Sequence, residues 1–146
     1  MSEGMTARAP WHLWVVGVLA LLWNGFGGYD YLMTNFQGEA YMASMGMTQA
    51  QMDYYAAMPA WMTAAWALGV WGGVAGATLL LLRMKLAVWA FAVSLLGMLI
   101  SWIYTFTSNG MEVAGAAGLI MSAVITVVCL FLVSYARMMA TKGVLR

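Results

Sequence analysis

The sequence predicts an all-α membrane protein: four transmembrane helices in an antiparallel bundle, both termini cytoplasmic. Three observations carry this. Hydrophobic residues make up 64% of the chain and charged residues 8%, against roughly a quarter charged in a soluble domain. Lipid must therefore be the solvent for much of its surface. Four apolar segments, at about 11–33, 60–82, 86–106 and 113–135, each reach the ~20 residues that cross a hydrocarbon core. Between them, all six basic residues fall on one side: Arg8, Arg83, Lys85, Arg137, Lys142 and Arg146. Four of the five acidic residues, Asp30, Glu39, Asp53 and Glu112, fall on the other. The positive-inside bias then puts both termini in the cytoplasm. An odd number of spans would destroy that segregation.

The first span follows Arg8, as the apolar part of a signal peptide would. It runs past signal-peptide length and meets no small-x-small cleavage site, so it is expected to stay in the protein as the first helix of a single membrane domain, 1–146. Its outer half, "LLWNGFGGYDYLMTN", sets Asn24, three glycines and Asp30 into an otherwise apolar run. The outer loop, 34–58, is the one sizeable extramembrane piece. Within it Thr48-Gln49-Ala50-Gln51 reads as a capping box that opens a short helix.

Pro59 suits the first turn of span two, because its missing N–H would have had no helical partner there. The link "RMK" is short enough to force spans two and three into an antiparallel hairpin. "TSNGME" does the same for spans three and four, with Asn109 expected to cap the last helix and Glu112 to reach back to it. Trp11, Trp14, Trp89 and Tyr135 mark the inner membrane interface, and Tyr29, Tyr31, Trp61, Trp102 and Tyr104 the outer one.

Small residues recur at helical spacing. Gly69 with Gly73 and Gly72 with Gly76 are overlapping GxxxG pairs, a spacing that lets a second backbone come close. Gly97 with Ser101, and Gly118 with Ser122, repeat the pattern in spans three and four. Packing within one bundle is the preferred reading, ahead of self-association through span two.

The chemistry is sparse. A net charge of +1 gives no basis for binding nucleic acid. Cys129 is the only cysteine, so no internal disulfide or cysteine cluster can form. His12, the single histidine, lies near the inner interface and reads as solvated. No nucleophile–base pair, carboxylate pair or phosphate loop is visible, so no enzyme activity and no cofactor are expected. Met42, Met45, Met47, Met52 and Met58 form a thioether-rich outer loop. Thioethers suit Cu(I), but methionines are also ordinary fillers of irregular apolar surface, and without His or Cys beside them no metal site is expected.

Asn24 lies about 18 Å along span one from His12, at 1.5 Å per residue. A polar group at that depth faces the bundle and bonds to a neighbour. Gly17, Leu21, Asn24, Gly28 and Tyr31 share its helix face, and Ser94, Gly97, Ser101 and Tyr104 share a comparable face of span three. The plain reading is structural glue. The sharper one is a small polar cavity in which Trp23 and Trp71 stack on a neutral solute such as a sugar, while Asn24 and the serines bond its hydroxyls. Asp30 has no cationic partner on its side of the membrane. It is expected to be served by neutral donors, a tyrosine hydroxyl, an indole or a backbone N–H, and to tie span one to the outer loop.

"LLWNGFGGYDYLMTN", "PAWMTAAWALGVWGGVAGA", "SNGMEV" and the C-terminal "GVLR" resemble a family of small, uncharacterised four-span bacterial membrane proteins that often carry the label "sugar transporter". The resemblance covers nearly the whole chain. It implies four helices in a bacterial inner membrane and brings no catalytic or binding residues with it. Two functional classes follow. The favoured one is a non-catalytic accessory or scaffolding subunit, with the lipid bilayer and other membrane helices as its partners. The other is a dimeric transporter of a small neutral solute such as a sugar.

Overall fold

The computed structural model describes residues 7–146. These fold into six helices and no strand: α1 (Trp11–Gln37), α2 (Glu39–Ser44), α3 (Gln49–Ala56), α4 (Ala60–Leu81), α5 (Leu86–Thr107) and α6 (Gly110–Thr141). Three of them, α4, α5 and α6, are long and apolar enough to cross a membrane, with mean hydropathies of 1.6, 2.2 and 2.7 over their best stretches. They mark a multi-pass membrane protein. α1 is longer than α4 or α5 at 27 residues, but Asn24, Asp30 and its glycines leave it less apolar than the other three.

α1 does not stop at Met33. It continues through Asn24, Gly25, Gly27, Gly28 and Asp30 as unbroken helix to Gln37. Asn24 stays helical because its Nδ2 donates back to the Ala20 carbonyl at 2.8 Å. The chain turns at Gly38, whose φ of 56° closes the helix, with its N–H donating to the Thr34 carbonyl. The capping box of α3 is present in both directions: Gln51 N–H donates to Thr48 Oγ1 at 3.2 Å and Thr48 N–H to Gln51 Oε1 at 3.0 Å. The box expected at Asn109 and Glu112 does not form. Asn109 makes no side-chain cap; the Ser108 hydroxyl, one residue earlier, accepts from the Gly110 N–H at 3.2 Å instead. α6 also breaks at Gly115, where φ is 66° and ψ is −176°, a conformation open almost only to glycine.

The four long helices pack as antiparallel neighbours in the order α1–α4–α5–α6. α4 uses its glycines on two different partners. Gly69 and Gly72 lie against the α5 backbone at Ser94, and Gly76 lies under the Phe91 ring. Gly73, on the α1 side of the same stripe, receives the Asn24 side chain of α1. From α5, Gly97 returns the contact, its Cα so placed that a Cβ would sit 2.5 Å from the Ala65 carbonyl oxygen. Gly118 behaves differently from the expectation. A Cβ there would meet only Ala114 of its own helix, so among the described residues Gly118 makes no close contact with another helix. Its partner in the pattern, Ser122, accepts a hydrogen bond within α6 from Thr126 at 2.8 Å.

All six basic residues lie at one end of the bundle, where α1 and α5 begin and α4 and α6 finish. That end is the better packed. Leu13, Leu80, Ala87, Phe91, Ala136, Met139 and Leu145 form a buried cluster there, each at 1% exposure or less. The C-terminal "GVLR" folds back onto the α4–α5 link. Lys85 N–H donates to the Arg146 carbonyl and Arg146 N–H to the Arg83 carbonyl, at 2.8 and 2.7 Å. Arg83 takes a φ of 58°, uncommon for a residue with a Cβ. From there its guanidinium donates to the carbonyls of Val144 at 3.1 Å and Ala7 at 2.6 Å. One side chain thus joins three segments that the sequence keeps far apart.

Candidate functional site

α1 and α6 flank the row and share little contact. They meet at the basic end, where His12 Nδ1 lies 2.5 Å from the Tyr135 hydroxyl. Farther along, between α1, α4, α5 and α6, they leave a cavity of about 370 Å³. Phe91 and Leu132 line it toward the basic end and Asp30 and Trp66 toward the other. Trp23, Phe26 and Gly27 form the α1 wall, Gly97, Met98 and Ser101 the α5 wall, and Met121, Ile125 and Cys129 the α6 wall.

Of the residues expected at a cavity, Trp23, Asn24, Ser94 and Ser101 line it, and Asp30, expected to tie α1 to the 34–58 segment, lines it as well. Trp71 does not. Its ring packs over Gly28, 3.1 Å from where a Cβ would stand, and lies edge-on to Tyr31 at 6.3 Å. Trp66 occupies the place given to it. The helical period explains the exchange. Trp66 is three residues before Gly69 and seven before Gly73, on the stripe that faces the neighbouring helices, whereas Trp71 is turned away from that stripe.

The polar side chains are already engaged. Asn24 donates to Ala20 O, Ser94 Oγ to Gly69 O at 2.5 Å across the α4–α5 contact, and Ser101 Oγ to Gly97 O at 2.9 Å. Cys129 Sγ lies 4.0 Å from Ser94 Oγ. A solute rich in hydroxyls would find few free donors here. Asp30 is the exception in charge. Its Oδ1 accepts from the Tyr41 hydroxyl at 2.8 Å, which is one of the neutral donors expected for it. The indole of Trp102 instead donates to Thr126 Oγ1 at 2.8 Å, tying α5 to α6. The bond to Asp30, together with burial, pushes the Tyr41 hydroxyl up to about 12. Tyr41 therefore keeps its proton and remains a donor through the physiological range.

The segment that carries α2 and α3 folds over this end. Tyr54 Oη shares a hydrogen bond with Ser108 Oγ at 2.8 Å, and Tyr31, Trp66 and Tyr55 pack ring against ring. A second cavity of about 220 Å³ lies within it, lined by Met42, Met52 and Met58 together with Glu39 and Asp53. Met45 is 57% exposed and Met47 is not part of that lining, so the structure divides the methionine run rather than gathering it. Among the described residues, no group of three or more His, Cys, Asp or Glu side chains is placed to hold a metal ion. His12 is not simply solvated. It is half-buried and bound to Tyr135, a partner 123 residues away that no local pattern announces.

Comparison of the chain with models of known protein families, with curated proteins and with solved structures finds no match.

The Asp30–Tyr41 bond predicts a graded response. Asp30→Leu should leave the Tyr41 hydroxyl without its acceptor and speed proteolysis of the 34–58 segment severalfold. Asp30→Asn should be milder, since an amide oxygen still accepts, and Tyr41→Phe should fall between them. The sign with pH follows from the raised Tyr41 value: its contribution is complete below about 10 and fades as pH climbs from there toward about 12. Limited proteolysis of the purified protein and its variants, with near-ultraviolet dichroism across the alkaline range, checks both. Equal cleavage rates for all four proteins would mean that the bond does not hold the segment.

Proposed function

We propose that this chain is a four-span protein of the bacterial inner membrane, both termini cytoplasmic, serving as a non-catalytic accessory subunit that packs against helices of a larger membrane protein. The observation that carries it is the one-sided packing of α6. From Met111 to Phe131 none of its residues is buried, and among the long helices α5 is its principal neighbour. Gly115, Ala116, Ala117 and Ala123 are exposed on that stretch. Small exposed residues on an apolar helix allow the close backbone approach that drives association in lipid, where burying apolar surface contributes nothing between helices.

The orientation is supported by the gathering of every basic residue at one end of the bundle, which the positive-inside bias assigns to the cytoplasm. α1 counts as the fourth span on its length, about 40 Å at 1.5 Å per residue, and on its antiparallel seat beside α4. Its far face, with Val15, Val18, Leu19 and Leu22 exposed, suits lipid. The alternative, a dimeric transporter of a sugar-like solute, draws on the family resemblance and on the cavity itself. It is weakened by the Asn24, Ser94 and Ser101 donors, all already spent on backbone carbonyls.

Topology is tested with single cysteines in a Cys129→Ser background. Cysteines at positions 44 and 108 should react with a membrane-impermeant thiol reagent in intact cells once the outer membrane is opened. One at position 141 should not. Labelling at 141 would overturn the orientation. The accessory role is tested by purification in mild detergent and mass analysis of what co-migrates. A larger membrane protein in fixed stoichiometry is expected, and replacing Ala117 by Trp should reduce its recovery at least severalfold. A bare homodimer that binds sugars would overturn the role.

A further inference from the structure

We propose that the cavity between α1 and α6 is a binding site for a hydrophobic organic cation, its positive centre against Asp30 and its apolar groups among Trp23, Phe26, Trp66 and Met98. This goes beyond the accessory role and does not depend on it, because the lining residues it uses all belong to this chain.

Size and wall chemistry set the class of ligand. About 370 Å³ falls in the range of small-molecule pockets, which are mostly apolar with a few placed polar groups. Here the neutral polar groups are spent. Asn24, Ser94 and Ser101 each donate to a backbone carbonyl, so a ligand that needs many hydrogen bonds is poorly served. What the site offers instead is negative charge beside aromatic faces.

Asp30 lines the cavity at the end away from the basic residues. Its one hydrogen bond among the described residues is the Tyr41 hydroxyl on Oδ1; Oδ2 takes none. Residues 9–82 and 86–136 contain no Lys or Arg, so among the described residues no Lys or Arg stands beside Asp30. A carboxylate partly removed from water and lacking a counter-charge attracts a cation more strongly than it would in solvent. The indoles of Trp23 and Trp66 line the same cavity, and an aromatic ring attracts a cation that comes within about 6 Å of it. A metal ion fits less well. Hard divalent ions seek six or more oxygens, and Asp30 is the only carboxylate in the lining. A bulky monovalent cation needs one charge partner and apolar walls, and the cavity supplies both.

The test uses the full chain in nanodiscs of zwitterionic lipid, with empty nanodiscs subtracted. Tetraphenylphosphonium and tetraphenylborate share size and shape and differ in the sign of their charge. Tryptophan fluorescence should show saturable binding of one phosphonium per chain and none of the borate. Asp30→Asn should weaken phosphonium binding about tenfold or more, whereas Tyr41→Phe, which leaves the carboxylate in place, should retain it. Equal binding of both ions would mean an apolar cavity without charge selection and would overturn the proposal. So would an unchanged affinity in Asp30→Asn, or the absence of saturable binding by the wild-type protein. The comparison of the two ions needs no variant, so a destabilised Asp30→Asn cannot obscure the result. Failure here would leave the co-migration experiment as it stands, and a missing partner there would leave this one unaffected.

Discussion

The structure depends on how closely α4 and α5 approach each other. In lipid, two apolar helices gain nothing by hiding from solvent, and what holds them is backbone-level packing and interhelical hydrogen bonds. Gly69, Gly72 and Gly97 bring the two backbones together, and Ser94 Oγ then reaches the Gly69 carbonyl across the gap. No larger residue at Gly97 could keep that separation, because its Cβ would press on the backbone at Ala65 and Gly69 rather than on a side chain that can move.

The remaining architecture follows from the double use of α4. With Gly69, Gly72 and Gly76 turned to α5 and Gly73 turned to α1, α4 holds a neighbour on each side. α6 is left with α5. The helices consequently form a row whose ends, α1 and α6, converge where His12 meets Tyr135 and where Arg83 gathers Ala7 and Val144. Away from that clamp they part, and the cavity is the space between them. The α2–α3 segment then closes over the far end through Tyr41 on Asp30 and Tyr54 on Ser108. The same arrangement leaves a long stretch of α6 unburied and sets Asp30 in the cavity lining.

Much of this was legible in the sequence because the signals were local and periodic. Helix existence, the Thr48 capping box and the contact glycines of α4 all announce themselves within a turn or two. The failures have physical causes. Span one was read as ending at Met33, yet Asn24 bonds within its own helix, Gly28 accepts the Trp71 ring, and α1 runs on to Gln37. Gly118 carries the right spacing, but spacing does not say whether a neighbour is there. Placing Trp71 at the cavity ignored which face of α4 the glycines had already claimed. Arg83 was read for its charge alone; its role as a three-way tie depends on carbonyls more than sixty residues away, which no local pattern reveals.

The most direct measurement compares two additions of the same methyl group. Gly97→Ala and Gly25→Ala both replace a glycine inside a long helix, where alanine is favoured by about 1 kcal/mol on propensity alone. At Gly25 a Cβ meets nothing within 4 Å, so melting in detergent should be unchanged or slightly raised. At Gly97 it meets backbone at 2.5 and 2.7 Å, and overpacking of about 1–3 kcal/mol should outweigh the propensity gain and lower the melting temperature. If Gly97→Ala instead melted at or above Gly25→Ala, α4 and α5 would not be in backbone contact there. The row of helices, and the cavity it leaves, would then lose their basis.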